Sequence, residues 1–194
     1  SIIDINGDNL LDFVWAETQN VDKRKTWLNT ADSFYLLGSV ETPYGSLIEL
    51  NYDRISDFDN TGDDDIPDLA FNGWVLTSIT KHNGMSGEHE LEQTTYYSYK
   101  DGFFDYESKE FRGFGFVEEI KPDETIVRHN FYQDDHRKGI EYETLILDKN
   151  LNPYIKTNKG FLVDDAGDVT ELKLVNTTKT TYETLNLNDN ISYS

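Results

Sequence analysis

The chain has 194 residues, 37 acidic against 17 basic, a formal net charge of −20, no cysteine, and aromatics dominated by 12 tyrosines and 11 phenylalanines. That charge disfavours nucleic acid and anionic membrane surfaces as partners and favours cations, and the missing cysteine removes disulfides and thiolate metal sites. No apolar run approaches the roughly 20 residues of a membrane-crossing helix, so no membrane insertion by this segment is expected.

With few prolines and many aromatics the composition is that of a folded, β-rich chain, long enough for one well-cored domain or two small ones. Ile2-Ile3-Asp4 reads as a strand already under way, as in a segment cut from a larger protein. The loop that follows carries the sharpest chemical pattern. Asp4, Asn6, Asp8 and Asp12 fall at positions one, three, five and nine, Gly7 eases the turn, and the carbonyl of Leu10 falls at position seven. Oxygen ligands at alternate positions of a tight turn converge on one point, which suits calcium. Position twelve is Trp15 instead of a bidentate Glu, so the loop is not an EF-hand. The same side chains also suit an Asx-turn loop that satisfies its own backbone.

Further along, the basic run within Asp22–Trp27 reads as a short helical turn or a loop. Ser33–Val40 and Ser46–Tyr52 are expected to pair about Pro43-Tyr44-Gly45. The acidic stretch Asp57–Asp68 reads as a solvated connection, since the register that puts Asp64 and Asp68 in calcium positions leaves Gly62 without a ligand. Gly73–Thr80 and Glu90–Lys100 form the next pair across Asn83-Gly84 and Gly87.

From Thr94 to Tyr99 a period-two strand puts Thr95, Tyr97 and Tyr99 on one side and Thr94, Tyr96 and Ser98 on the other, and Asp101-Gly102 offers the positive φ of a tight reversal. Strict alternation over Glu110–Ile120 puts Arg112, Phe114, Phe116 and Glu118 on one face. Phe111, Gly113, Gly115 and Val117 take the other, where the two glycines leave a groove for a close neighbour. Thr125–Tyr132 and Tyr142–Leu147, then Phe161–Val163 and Val169–Val175, complete a chain without a convincing helical period. The expected fold class is all-β.

Catalytic signals are thin. His82 and His89 flank one hairpin and would suit a zinc pair only with loop carboxylates added. Asp134, Asp135 and His136 lie near His129, but the two carboxylates also suit loop-fixing bonds to backbone amides. No nucleophile elbow, phosphate loop or HExxH pattern is present.

Four ordered stretches carry a resemblance. Tyr97-Ser98-Tyr99 with Asp101-Gly102-Phe103-Phe104-Asp105 and Lys109-Glu110-Phe111-Arg112-Gly113-Phe114-Gly115 resembles a stretch of the B component of bacterial Tc insecticidal toxins. Large proteins with SpvB-type regions and Rhs repeats share it. Tyr35 to Tyr52, Trp74-Val75 through Gly87, and Phe131-Tyr132-Gln133-Asp134-Asp135 with Lys138-Gly139 fit the same family in the same order. The Asp4–Asp12 loop is similar to the calcium loops of FG-GAP/VCBS repeats, which build β-propeller blades.

The resemblance implies the end of a propeller-type repeat over residues 1–30 and antiparallel hairpins of an Rhs-like shell over 31–150; residues 151–194 lie beyond it and read as further β hairpins. It marks Tyr97, Tyr99, Gly102, Phe111, Arg112, Gly113, Phe114 and Gly115 as a structural motif, with calcium at the first loop. It further implies a non-catalytic role in a secreted or surface-delivered bacterial toxin. The partners would be the rest of a large chain, a toxic cargo and a pore-forming protein. A calcium-stiffened binding or adhesion module is the alternative.

Overall fold

The computed structural model describes residues 2–5, 10–17, 20–30, 36–62, 68–69, 73–166, 169–182 and 190–193. Among them the regular structure is β-strand apart from two 3-10 turns, Ile55–Asp57 and Gly87–His89, as the period-two patterning predicts. β1 (Ile2–Ile3), β2 (Asp12–Glu17) and β3 (Asn20–Trp27) form a small antiparallel sheet. The other strands form one ten-stranded sheet. They are β4 (Ser39–Glu41), β5 (Leu47–Arg54), β6 (Trp74–His82), β7 (Glu92–Asp105), β8 (Glu110–Ile120), β9 (Ile126–Phe131), β10 (Glu141–Leu147), β11 (Pro153–Ala166), β12 (Val169–Tyr182) and β13 (Asn190–Tyr193). They lie side by side in sequence order, each antiparallel to the next.

Four local readings change. Asp22–Trp27 is strand, not turn, because Phe13 faces Trp27 across β2–β3 with ring centroids 5.4 Å apart, and that aromatic pair fixes the register. β7 does not reverse at Asp101-Gly102. Asp101 has the positive φ of +54° expected of a turn residue, yet the strand runs through to Asp105 and reverses over Tyr106–Lys109.

Strict alternation also fails in β8. Gly113 has φ +85°, and Arg112 and Gly113 together oppose Phe103 in a bulge between the pairs Gly102↔Phe114 and Phe104↔Phe111. The bulge brings Phe111 and Phe114 to the same side, ring centroids 5.6 Å apart, and separates Arg112 from Phe114. Finally, β11 and β12 are much longer than the apolar runs inside them. Threonine-rich 176–182 has no apolar alternation, but its β-branched side chains favour the extended backbone. The first part of the expected Ser33–Val40 strand lies outside the described residues.

The core is small. Among the described residues, Ile55, Ile126, Val127 and Leu147 are the buried hydrophobic ones. Strand packing is confined almost wholly to hydrogen-bonded neighbours, so among the described residues no second layer covers the large sheet.

Candidate functional site

The family-like motif lies where the ten-stranded sheet is interrupted. β6 and β7 pair only from Ser78↔Tyr96 to His82↔Glu92, and beyond Tyr96 the two strands part. The connection from β5 to β6 enters that gap. Asp59 forms a parallel bridge to Lys100, and the Asp101 N–H donates to the Asp59 carbonyl at 2.9 Å. The Phe104 N–H donates to the Asp68 carbonyl at 3.0 Å, and the Asp68 N–H to the Asn60 carbonyl at 2.9 Å.

Asn60 holds the insertion together. Only 6% exposed, it donates to the carbonyls of Ile55 at 2.8 Å and Phe58 at 2.9 Å, and accepts the Gly102 N–H at 3.1 Å. A Cβ on residue 102 would sit 2.5 Å from that same amide oxygen, so glycine is required for close approach. The ends of the acidic stretch Asp57–Asp68 are therefore docked instead of solvated, because they supply β7 with the backbone partners that β6 withholds. Residues 63–67 lie outside the described residues.

Aromatic rings cover this insertion. Tyr99 donates its hydroxyl to the Leu76 carbonyl at 2.7 Å, and its ring lies 5.5 Å from Phe58 and 4.7 Å from Phe114. Burial raises the Tyr99 phenol above its ordinary pKa, and burial followed by the charge of Glu119 does the same at Tyr97, Glu119 being its cross-strand partner. Both therefore remain neutral donors at physiological pH.

Arg112 joins three segments. Its side chain is buried, contacts the carboxylates of Asp105 and Asp135 through Nη2, and donates from Nη1 to the Gln133 carbonyl at 3.2 Å. Asp105 is held down to a pKa of about 2, first by the Ser108 hydroxyl at 2.8 Å, then by the Glu107 N–H at 2.9 Å, and further by Arg112. Gln133 completes the junction from the opposite end, donating to the carbonyls of Asp101 at 2.7 Å and Gly113 at 2.9 Å. A Cβ on Gly115 would lie 3.0 Å from the Gln133 oxygen, so the glycine groove receives a side-chain amide. Arg112, Gln133, Asn60 and their glycines thus tie β7, β8, the β5–β6 connection and the loop after β9 into one junction.

The same residues fall within a family match. The family described as "Insecticide toxin TcdB middle/N-terminal region" matches residues 1–144. The chain belongs to that family. No curated protein matches it. Among solved structures, this TcdB-type middle region is similar to TcdB2-TccC3 without its hypervariable C-terminal region, at 17% identity and a TM-score of 0.66 over 77% of this chain and 11% of that one. It is also similar to the Photorhabdus luminescens Tc holotoxin pore, at 15% identity and a TM-score of 0.68 over 94% of this chain and 12% of that one. At such identities the likeness is one of fold. The chain spans about a tenth of the length of these solved chains.

The remaining candidates in the TcdB-type region are kept apart. Asp134 accepts the N–H groups of His136 at 3.2 Å and Arg137 at 3.0 Å and pairs with the Arg137 guanidinium at 2.9 Å, whereas Asp135 turns to Arg112. His129 contacts Glu141 at 2.6 Å, and Glu141 also takes Lys159 at 2.6 Å and Thr144 at 2.7 Å. Burial opposes ionisation of Glu141, but the bonds from His129, Lys159 and Thr144 outweigh it and bring its pKa down to about 2. Asp134, Asp135 and His136 thus form no acid–base set with His129. His82 lies between Glu49 at 2.7 Å and Glu92 at 3.7 Å instead of meeting His89. Among the described residues no group of three or more His, Asp or Glu side chains could hold a metal ion.

Asn6, Gly7 and Asp8 of the first loop lie outside the described residues. Asp12, 1% exposed, accepts the N–H of Ile5 at 2.9 Å and of Asn29 at 2.8 Å, one on each carboxylate oxygen. It thereby ties β1, β2 and the chain beyond β3 together. Sequence reasoning missed Asn60, one polar residue in an acidic run, and the role of Gln133. The glycines at 102 and 115 were the available signal, since each exists to admit one of those amides.

Proposed function

We propose that this segment is a non-catalytic wall element of a TcdB-type toxin component, part of a β-shell that encloses or delivers a toxic cargo. The observation that carries this reading is the ten-stranded meander in sequence order, over which the described residues place no second layer. A one-layer sheet held by cross-strand pairs and plugged between β6 and β7 by an internal loop can bound a volume without any reacting group. The matched structures join TcdB2 to TccC3 and include a Tc holotoxin pore. By analogy the partners here are the remainder of a large chain, a cargo polypeptide and a pore-forming protein, in a secreted or cell-surface setting. We divide the segment into a terminal propeller-type repeat over 1–30, the shell sheet over 31–150 and its continuation over 151–194.

Calcium belongs to the same proposal. Asp4, Asn6, Asp8, Asp12 and the Leu10 carbonyl would hold it, their oxygens falling at alternate positions of one tight loop. The ion would stiffen the small sheet. A calcium-stiffened binding or adhesion module is the second reading, favoured by Phe13, Trp15 and Trp27, which share a face of that sheet and are about half exposed. Retention of the protein on a glycan column, lost on changing Trp15 or Trp27, would favour the module.

An antibody against the chain, used on extract and medium of the source bacterium, tests the wall reading. A native band far above 22.4 kDa supports it, and a band near that mass contradicts it.

A further inference from the structure

Two neighbouring hairpins of the large sheet end in loops that are locked together. Between β4 and β5, Pro43 and Tyr44 form the middle of a turn in which the Gly45 N–H donates to the Thr42 carbonyl at 2.9 Å. The Thr42 N–H donates to the Ser46 carbonyl at 2.8 Å, and the Ser46 N–H to the Thr42 hydroxyl at 3.1 Å. Between β6 and β7, Asn83 organises the loop. Its side chain donates to the His89 carbonyl at 2.7 Å and accepts the N–H groups of Met85 at 3.1 Å and Leu91 at 3.2 Å. A Cβ on Gly84 would lie 2.5 Å from both the carbonyl carbon and the carbonyl oxygen of Gly45, so the two loops meet backbone to backbone and glycine is required.

That contact sets the residues beside it, Tyr44 and Met85, on one double tip. Tyr44 is 95% exposed and Met85 62%. A ring in water on a turn whose backbone is already fixed loses little freedom when something covers it, so most of its burial is available for binding. The rim of the tip is acidic. Neither 39–52 nor 82–92 contains a lysine or arginine. Glu49 and Glu92 flank His82, whereas Glu41, Glu88 and Glu90 are exposed and make no ion pair among the described residues.

We propose that this double tip is a docking anchor for a different polypeptide, one that presents an apolar pocket to the Tyr44 ring and lysine or arginine around the pocket's mouth. The local charge selects that partner: Glu41, Glu88 and Glu90 complement a basic mouth, and a second copy of the tip would set the same three carboxylates against them. Tyr44 supplies the buried aromatic area and the acidic rim supplies orientation, the division of labour usual at the centre and edge of an interface. The proposal holds whether or not the sheet is a wall.

The test titrates the full-length toxin component with an amino-substituted β-cyclodextrin, an apolar pocket with a cationic mouth, beside a carboxylate-substituted one. Saturable binding of the amino host is expected, with the carboxylate host at least about tenfold weaker. Tyr44→Ser should remove that binding. Tyr106→Ser should leave it intact, because Tyr106 is 65% exposed on the β7–β8 turn but lies edge-on against Phe104 with ring centroids 5.4 Å apart. Glu88→Gln combined with Glu90→Gln should bring the two hosts to similar affinity, and an unchanged circular-dichroism spectrum verifies the fold of each variant. No saturable binding of the amino host, equal binding of both hosts by the wild type, or equal loss in the two tyrosine variants would overturn the proposal. So would a dimer of the component that Tyr44→Ser dissolves, because the occupant would then be a second copy.

Discussion

The side-chain oxygen of Asn60 accepts the backbone N–H of Gly102 at 3.1 Å, between the two backbone bonds, Asp101 N–H to Asp59 and Phe104 N–H to Asp68, that also join the β5–β6 connection to β7. Asn60→Ala would leave the buried Gly102 N–H without that acceptor and strip one bond from the Ile55 carbonyl, which keeps only the Phe58 N–H at 3.2 Å. The expected loss is about 2–3 kcal/mol in chemical denaturation. Gly102→Ala should cost about 1–3 kcal/mol by overpacking, since its Cβ would also meet Leu69 at 3.0 Å and Phe114 at 3.1 Å. The two effects should fall well short of additive, because both changes break the same contact.

Arg112→Lys keeps a positive charge but loses the fork that reaches Asp105, Asp135 and Gln133 together. Its melting temperature should fall below wild type, and that of Arg112→Ala further. Equal melting temperatures for wild type and Arg112→Lys would show that charge alone is used.

How much of this was legible in the sequence follows from where the constraints lie. Strand periodicity, the hairpin order and the Arg112-Gly113-Phe114-Gly115 motif are local properties of the chain, and the all-β fold was readable from them. The bulge at Gly113 was not, because strict alternation and a one-residue slip look alike until the partner strand is known. Nor was the docked Asp57–Asp68 connection, whose partner Gly102 lies 42 residues from Asn60. Arg112 was recognisable as part of a motif, yet its contact with Asp135 depends on a loop two strands away.

Acid should loosen the sheet late. Asp105 falls from 3.8 to about 2 and Glu141 from 4.5 to about 2 on folding. A depressed carboxylate stabilises the fold above its unfolded value, and that contribution is lost as pH falls through the folded one. Stability from these two groups should therefore be intact at pH 5 and decline between about pH 4.5 and 2. Acid unfolding followed by tryptophan fluorescence checks this, and Glu141→Gln should flatten the lower part of the curve.

Calcium should raise the unfolding temperature of the wild-type chain, with the rise abolished in Asp8→Ala. An equal rise in both would remove the first loop as a calcium site and leave Asp12 as a backbone tie alone.

Neighbouring residues of one strand point to opposite faces, and a wall must give those faces different access. The chain has no cysteine, and Glu92 and Gln93, adjacent on β7, are both exposed. The decisive measurement places a cysteine at either position in the full-length toxin component, freed of any cysteines it carries elsewhere and assembled with its partner, and treats each with a maleimide attached to a small globular protein. If the sheet is a shell wall, one position reacts and its neighbour does not, and opening the shell with denaturant equalises them. Equal reaction at both positions in the intact assembly would contradict the wall.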